Sequence, residues 1–339
     1  MNIRQLLTAF DQWREQQRPL VLATVYETAG STYSKAGAQM LIDDEGNFQG
    51  MLSGGCLEGD LAERAAAVLS TGRAQAVTFD LGSNDDSLWG LGVGCDGLMR
   101  VFLQPLLEAQ RYEPFAATAQ IYSGASRGAL ATVIRSEHPA VAAGATLLRA
   151  PDDGLQANGM PPALTDVLAP ILARAMANGE TAMLRDGWDG QDVDVLIASI
   201  APTPRILILG GGLDAQPMVR LIAELGWRVT VQDHRPAYIE NGDFRDAEQA
   251  FSVPASTLAT AIDLQQFDAA VIMSHHLVTD RIYLDLLADT GIPYIGLLGP
   301  PARRQRLMVE LKERGAALQD RVHGPAGLDI GGRGPASIA

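Results

Sequence analysis

Apolar positions along the chain follow two kinds of spacing. Near the start they recur at helical intervals, which predicts an amphipathic helix carrying Ile3, Leu6, Leu7, Phe10 and Trp13. From residue 205 onwards, short apolar runs alternate with helical stretches. The predicted strands there are 205–210, 228–233, 268–274 and 294–299, and the predicted helices are 218–225, 279–288 and 302–313. Strands separated by helices favour a parallel, doubly wound sheet.

The part of the chain before residue 203 contains an internal repeat. The tetrapeptide LATV at Leu22 recurs at Leu130, 108 positions later, and Gly-Ala at Gly37 recurs at Gly144, 107 positions later. Each copy predicts, in order, strand, loop, strand, acidic turn, helix and strand, and the first helix is expected over residues 57–70. The repeat therefore predicts an α/β domain built from two related halves.

These patterns together predict an α/β protein with two domains. The first is an N-terminal α/β domain, residues 1–200, with an internal duplication whose halves lie at about 18–108 and 126–202. The second, residues 203–339, is a C-terminal Rossmann-like domain with a parallel sheet. The boundary coincides with Pro202 and Pro204, which stand between two apolar runs.

The two copies differ in two loops. The first copy has SGGCLEG at 53–59 where the second has NGMPPAL, and it has the long segment GSNDDSLWGLGVGCDG at 82–97 where the second has GWDGQD. The chain contains two cysteines, Cys56 and Cys95, and each falls in one of these first-copy segments. A duplicated scaffold with extra Gly- and Cys-rich loops in one half predicts a functional site in that half.

The charge and the composition exclude several classes of protein. The formal net charge is −14, of which −11 falls in residues 1–200, so the basic surface that nucleic-acid binding requires is absent. No apolar run approaches a membrane span, and charges interrupt the N-terminal segment where a signal peptide has its apolar core. Two cysteines do not form a disulfide framework. We therefore expect a cytoplasmic protein that binds neither nucleic acid nor membrane, and whose ligand is a small anion held by backbone N–H groups.

The glycine-rich segment after the first C-terminal strand matches a dinucleotide-binding fingerprint. Gly210, Gly212 and Ala215 give the pattern GxGxxA between a strand and a helix, and Asp233 ends the next strand. Such a turn can hold a pyrophosphate at the helix N-terminus, and the carboxylate can accept hydrogen bonds from a ribose. The basic side chains after Asp233 are also compatible with a 2′-phosphate. The alternative is a Rossmann fold that keeps this turn without binding a dinucleotide.

The SGGCLEG segment predicts a cradle for an anion. Ser53, Gly54, Gly55 and Cys56 would present successive N–H groups at the start of a helix, and a helix start also favours the thiolate form of cysteine. The alternative is a small buried cysteine beside close-packed glycines. Glu58 would cap N–H groups or transfer protons, unless it is merely solvated.

Further candidate ligands lie in three other segments. Gly94 and Cys95 stand directly before a predicted strand, and glycine there permits close approach of a ligand. His275 follows strand 268–274 at its carboxyl end, where open α/β sheets bind ligands, and the neighbouring histidine is expected to point the opposite way. Arg303 and Arg304 lie in the first turn of a helix, which favours contact with a phosphate or a partner. Two thiols do not make a zinc site, so no protein-bound zinc is expected.

These motifs together resemble the XdhC/CoxI family of accessory proteins for molybdenum hydroxylases. The matching segments are SGGCLEG, GVGCDG, GGGLDAQP with VQDHRP, MSHH, YIGLLGP with ARRQRL, and VHGPAGLDIG. The sequence departs from the family at Pro301, where members commonly have a basic residue. The family's final helix is expected to continue where this chain stops, at Ala339.

The resemblance implies a cytoplasmic, homodimeric chaperone. Such a protein binds the molybdenum cofactor (molybdopterin), protects it while a cysteine desulfurase replaces an oxo ligand by sulfur, and delivers it to the apo-enzyme of a molybdenum hydroxylase such as xanthine dehydrogenase. It implies that Cys56 with its glycines, and Cys95, form the cofactor site. The resemblance favours a maturation factor over a turnover enzyme, and whether any reaction is catalysed stays open.

The alternative function is an NAD(P)-dependent oxidoreductase that uses the C-terminal Rossmann domain. The GxGxxA turn and Asp233 favour it. No recognisable Lys–His or Tyr–Lys catalytic set supports it, because the chain has two lysines, Lys35 and Lys312, and neither is expected near the ligand edge of the sheet.

Overall fold

The computed structural model describes residues 2–80, 97–329, 331–332 and 334–339. The chain divides into two compact units, Met1–Pro202 (unit 1) and Thr203–Ala339 (unit 2). Within the described ranges, no helix is both long and apolar enough to cross a membrane.

The described part of unit 1 contains four α-helices and ten strands. The helices are α1 (Ile3–Glu15), α2 (Glu58–Thr71), α3 (Phe115–Ser123) and α4 (Pro162–Asn178). The strands are β1 (Leu20–Ala29), β2 (Gln39–Asp43), β3 (Phe48–Gln49), β4 (Gln75–Asp80), β5 (Leu98–Leu106), β6 (Gly128–Ser136), β7 (Thr146–Arg149), β8 (Leu155–Asn158), β9 (Thr181–Leu184) and β10 (Val193–Ile200).

These strands form two antiparallel sheets of identical topology. The strand order is β3-β2-β1-β5-β4 in one sheet and β8-β7-β6-β10-β9 in the other. The turns repeat as well, because Gly37 N–H donates to the Val25 carbonyl at 2.8 Å and Gly144 N–H donates to the Val133 carbonyl at 2.8 Å. The internal duplication predicted from the sequence is therefore confirmed down to individual hydrogen bonds.

Each half of unit 1 has its own core between a sheet and a helix. The buried face of α4 carries Leu164, Leu168, Leu172 and Ala175. The corresponding positions, 107 residues earlier, are Leu57, Leu61, Ala65 and Val68, and all four are buried as well. Both helices end at a left-handed glycine, Gly72 and Gly179, which is the residue type that adopts this conformation without strain.

Unit 2 contains a parallel sheet flanked by helices. The strands are β11 (Arg205–Leu209), β12 (Arg228–Asp233), β13 (Gln249–Ser252), β14 (Ala269–Ile272), β15 (Tyr294–Leu297) and β16 (Val322–His323). The helices are α5 (Ala215–Glu224), α6 (Pro236–Glu240), α7 (Leu258–Ala261), α8 (Leu277–Ala288), α9 (Pro301–Glu310), α10 (Glu313–Ala317) and α11 (Pro335–Ile338). The strand order is β13-β12-β11-β14-β15-β16, with every pair parallel, which confirms the Rossmann-like sheet.

The sequence patterns missed several short strands. In each half of unit 1 a strand follows the acidic turn, and two strands rather than one follow the helix. In unit 2 the missed strands are β13 and β16, at the two edges of the sheet. Edge strands bury fewer side chains, so QAFS and VH show no periodic apolar pattern.

Candidate functional site

The segment between β3 and α2, residues 52–57, forms a turn that we call the thiol loop. Its N–H groups converge on one side chain, the carboxylate of Glu58. Oε1 accepts the N–H groups of Leu52 at 2.9 Å and Ser53 at 2.8 Å. Oε2 accepts the Ser53 hydroxyl at 2.5 Å and the N–H groups of Gly55 at 3.0 Å and Leu57 at 3.2 Å.

Glu58 is 2% exposed, so the carboxylate is a buried part of the loop. Burial alone would raise the pKa of Glu58, but the hydrogen bonds from Ser53 and Leu52 outweigh it and hold the pKa below its ordinary value. Of the roles expected for Glu58, capping N–H groups is the one that the geometry shows. Of the four N–H groups expected to hold an external anion, those of Ser53 and Gly55 therefore bind this internal one.

The thiol of Cys56 is exposed at the outer side of the thiol loop, as a free cysteine. Gly54 and Gly55 have φ of +82° and +111°, which glycine adopts readily. A Cβ on Gly55 would meet nothing within 4 Å, and one on Gly54 would lie 3.4 Å from the exposed ring of Tyr33. The two glycines therefore bend the chain without packing tightly, and Cys56 is not a buried cysteine. Among the described residues, no acceptor faces the N–H groups of Gly54 and Cys56.

Of the second cysteine-containing segment, residues 82–97, the structure describes only Gly97. Gly94 and Cys95 lie outside the described residues. Gly97 packs against the β1–β2 loop, because a Cβ on it would lie 2.3 Å from the Ser31 carbonyl oxygen. Tyr33, beside Gly54, belongs to the same loop, so residues 30–38 contact both first-copy segments.

In unit 2 the GGGLDA turn links β11 to α5, as its spacing predicts. Gly210 has φ of +138°, and a Cβ on it would lie 2.4 Å from the Met273 carbonyl oxygen. Glycine is therefore required by close packing of this turn on the end of β14. A Cβ on Gly212 would lie 2.7 Å from the flexible end of Asp214 and 3.8 Å from Cδ2 of His275.

Asp233 ends β12 and is 0% exposed. Its Oδ2 accepts the N–H of Gly211 at 2.8 Å and Nη2 of Arg235 at 2.8 Å. Its Oδ1 accepts the N–H and Nε of Arg235 at 2.8 and 2.9 Å. Burial alone would raise the pKa of Asp233, but these bonds outweigh it and lower the pKa. Four donors fill the acceptor sites that a ribose would need.

His275 and His276 contact different partners. The His275 ring is exposed, and its Nε2 lies 2.7 Å from Oδ2 of Asp214, the residue that precedes α5. The His276 ring contacts the Thr279 hydroxyl at 2.8 Å. Burial lowers the pKa of the nearby His234. Sequence reasoning missed Asp214, whose only signal is its place as the last residue before a helix.

Arg303 and Arg304 both contact partners within unit 2. Arg303 Nη2 lies 2.5 Å from Oδ2 of Asp280, which is 1% exposed, and Asp280 Oδ1 accepts the Ser274 hydroxyl at 2.5 Å. Arg304 donates to the carbonyls of Val322 and Gln319 at 2.8 and 2.7 Å. Both guanidinium groups thus hold the fold together, and contact with a phosphate stays a prediction.

The predicted site residues therefore form two groups. Ser53, Gly54, Gly55, Cys56 and Glu58 come together in unit 1. Gly210, Gly212, Asp233 and His275 come together at the carboxyl ends of the strands of unit 2. Arg303 reaches the same strand ends through Asp280, whereas Arg304 contacts the chain near β16.

Comparison with known proteins assigns the family. A model of the XdhC and CoxI family matches residues 13–80, and a model of the XdhC Rossmann domain matches residues 206–339. A Bacillus subtilis (strain 168) protein, named as a probable xanthine dehydrogenase subunit, is 30% identical over 332 residues, 98% of this chain and 93% of that protein. The chain belongs to the XdhC and CoxI family. The thiol loop lies in the segment that matches the first model.

Two further relatives of this XdhC and CoxI family chain are informative. A crystal structure described as a xanthine dehydrogenase from Bacillus halodurans superposes with a TM-score of 0.79, at 26% identity, covering 100% of this chain and 92% of that one. A molybdenum cofactor insertion chaperone of Escherichia coli (strain K12), PaoD, is 31% identical over 90 residues, which are 26% of this chain and 27% of PaoD.

Proposed function

We propose that this protein is an accessory chaperone that binds the molybdenum cofactor, protects it during sulfuration and delivers it to a molybdenum hydroxylase such as xanthine dehydrogenase. The observation that carries the proposal is the exposed thiol of Cys56, on a loop whose shape the buried Glu58 carboxylate fixes. The name of PaoD, a molybdenum cofactor insertion chaperone, supports this role, and the name of the Bacillus subtilis protein supports the link to xanthine dehydrogenase.

The residues of the thiol loop fit one part of this cofactor. The thiolate is the form of cysteine that binds metals, and Cys56 is accessible to a large ligand. The cofactor, when bound, would supply a molybdenum centre with an oxo ligand that sulfur can replace. Four N–H groups of the loop donate to Glu58, so they do not offer a phosphate site. Cys56 would hold the metal end, Gly54 and Gly55 would allow close approach, and Glu58 would keep the loop in place.

The test is cofactor retention by full-length protein made in cells that produce the cofactor. Bound molybdenum is measured by elemental analysis and bound pterin by fluorescence after oxidation. We expect Cys56→Ser to lower both by about tenfold or more, because even the loss of a residue that supports a metal ligand costs about that much in metal affinity. The control exploits the repeat, because Ala163 occupies the position of Cys56 in the second copy. Adding Ala163→Cys to Cys56→Ser should restore nothing. Undiminished retention by Cys56→Ser would overturn the proposal.

The partners follow from the same proposal. A cysteine desulfurase would supply the sulfur, a molybdenum hydroxylase apo-enzyme would receive the cofactor, and the chaperone would act as a cytoplasmic homodimer. Affinity purification with mass spectrometry tests for both partner enzymes, and sedimentation equilibrium tests for the dimer. Recovery of neither enzyme from cells that contain both would contradict the proposed partners.

An NAD(P)-dependent oxidoreductase is the alternative, supported by the GGGLDA turn. Asp233 weighs against it, because its carboxylate is 0% exposed and its acceptor sites are filled by Gly211 and Arg235. We expect no saturable binding when the protein is titrated with NADH or NADPH and followed by nicotinamide fluorescence. Saturable binding that Gly212→Asp abolishes would favour the oxidoreductase.

A further inference from the structure

Unit 1 contains a cavity of about 460 Å³ between its two half-repeats. The first half contributes the turn from α2 to β4, with Arg73, and the end of β5, with Gln104. The second half contributes residues 142–145 and Asn158. The described residues that line this cavity include none from the thiol loop, so it is distinct from the site proposed above.

The repeat places equivalent residues of the two halves against each other beside this cavity. A Cβ on Gly144 would lie 3.5 Å from Cβ of Ala74, across the boundary between the halves. The equivalent glycine of the first copy, Gly37, stands in the same relation to Thr181, also at 3.5 Å. Asn158 corresponds to Met51, the residue directly before the thiol loop. The cavity therefore lies in the second copy at the position that corresponds to the residues directly before the thiol loop.

The polar groups of the cavity favour an anion. Arg73 is the one charged residue among the described residues that line it, in a chain with a net charge of −14. No carboxylate in the described ranges forms an ion pair with Arg73. The N–H groups of Ala142 and Ala143 likewise have no acceptor in the described part of the chain. A guanidinium group and consecutive backbone N–H groups are the donors that oxyanions prefer.

The rest of the lining restricts the kind of anion. The carboxamides of Gln104, Gln110 and Asn158 can bind hydroxyl groups, and Gln104 is held in place because its Nε2 donates to the Gly144 carbonyl at 2.9 Å. None of the described residues that line the cavity is aromatic, so the lining offers no aromatic ring for a flat heterocycle to stack on. The volume lies within the range of small-molecule sites.

We propose that this cavity binds a small hydroxylated anion, a hydroxycarboxylate or a sugar phosphate. The oxyanion contacts Arg73 and the N–H groups of Ala142 and Ala143, and the hydroxyl groups contact the three carboxamides. The site needs no bound molybdenum cofactor, so its failure in the test leaves the proposed function unaffected.

The test uses the full-length protein, purified without cofactor, and two probes, citrate and glucose 6-phosphate. Binding is measured by isothermal titration calorimetry. We expect saturable binding of at least one probe, and its identity decides between a carboxylate and a phosphate. Arg73→Gln should weaken that binding by about tenfold, the value of a charge-assisted hydrogen bond. Ala143→Glu, which places a like charge in the cavity, should abolish it.

The matched control is Arg174→Gln, which removes an exposed arginine from α4 in the same unit. Its affinity for the probe should equal that of the unaltered protein. The proposal is overturned if neither probe binds saturably, if Arg73→Gln binds as well as the unaltered protein, or if Arg174→Gln weakens binding as much as Arg73→Gln does.

Discussion

Two glycine-rich turns lead into helices in this protein, one in each unit. In both, one or more backbone N–H groups of the turn donate to a carboxylate side chain of the same unit. In the thiol loop, four N–H groups and a hydroxyl surround the Glu58 carboxylate. In the GGGLDA turn, Gly211 donates one N–H to Asp233, and Arg235 supplies the remaining donors. A glycine-rich turn before a helix thus predicts a cluster of N–H groups, but not an external ligand.

The two turns differ in what remains accessible. The thiol loop closes on Glu58 but leaves the Cys56 side chain in solvent. In unit 2, the Arg235 guanidinium covers Asp233 and lies 3.6 Å from the ring centroid of Tyr238. The thiol loop leaves a thiol exposed, whereas the unit 2 turn has its carboxylate, which a ribose would contact, covered by Arg235. The difference favours unit 1 as the place of cofactor chemistry.

The largest effect is expected from adding a methyl group to the tighter turn. Gly210→Ala combines an unfavourable φ with a 2.4 Å approach to the Met273 carbonyl oxygen, so unit 2 should lose about 4 kcal/mol of its free energy of unfolding. Gly55→Ala faces open space and should cost unit 1 about 1 kcal/mol of backbone strain. Hydrogen exchange of amides in each unit measures both values. Equal losses of unfolding free energy in the two variants would show that the two turns do not differ in packing.

Removing the internal anion of the thiol loop should have the next largest effect. Glu58→Ala leaves buried N–H groups of Leu52 and Ser53 without acceptors, so unit 1 should lose about 3 kcal/mol. Thr165 holds the equivalent position in α4, and Thr165→Ala is the control, expected to cost below about 0.5 kcal/mol. Urea denaturation, monitored by hydrogen exchange of unit 1, measures both. A small loss in Glu58→Ala would mean that the loop does not depend on its carboxylate.

Local patterns predicted much of this architecture. The repeat in the sequence predicted two similar halves, and α2 begins and ends one residue after its predicted bounds. The GxGxxA spacing predicted the turn between β11 and α5. These features depend on neighbouring residues, whose periodicity and turn chemistry act directly on the backbone.

The contacts that fill the turns could not be predicted in the same way. A cluster of N–H groups can donate to any suitably placed carboxylate. The sequence alone does not identify which carboxylate lies there in the folded protein. Asp214 and His275 are 61 positions apart and meet only because β11 and β14 are neighbours in the sheet. Arg235 could equally have pointed towards a 2′-phosphate. Tertiary packing, rather than local propensity, decides these cases.

Neutralising Asp233, the carboxylate bound by the GGGLDA turn of unit 2, should have a moderate effect on stability. Asp233→Asn leaves the Arg235 guanidinium without its ion pair, but Arg235 is partly exposed and water can replace the lost bonds. We expect unit 2 to lose about 2 kcal/mol, less than unit 1 loses with Glu58→Ala. The control is Asp243→Asn, whose partner Arg245 is well exposed, and it should leave the free energy of unfolding of unit 2 unchanged within the error of the measurement. A larger loss for Asp233→Asn than for Glu58→Ala would reverse the comparison.

Lowering the pH should remove the contribution of both carboxylates, Glu58 and Asp233, to the free energy of unfolding. The folded protein holds the pKa of Glu58 below its ordinary value of 4.5, so the stabilisation is complete above that pH and is lost as the pH falls through the folded pKa. The difference in unfolding free energy between the unaltered protein and Glu58→Gln should therefore shrink from about pH 6 to about pH 3. Asp233→Asn should behave likewise in unit 2. A constant difference across this range would contradict the lowered pKa.

The smallest effect on stability is expected from replacing Cys56, the residue proposed to bind the cofactor. Cys56→Ser removes an exposed thiol with no hydrogen-bond partner among the described residues, so the free energy of unfolding of unit 1 should change by less than about 0.5 kcal/mol. The same thiol should react rapidly with iodoacetamide in the unaltered protein, and mass spectrometry of the peptide that contains Cys56 measures the rate. Glu58→Gln should change that rate, because the loop that presents the thiol loses its fixed shape. A thiol that is indispensable for folding, or that reacts only after denaturation, would place Cys56 in the scaffold and remove the contrast between the two turns.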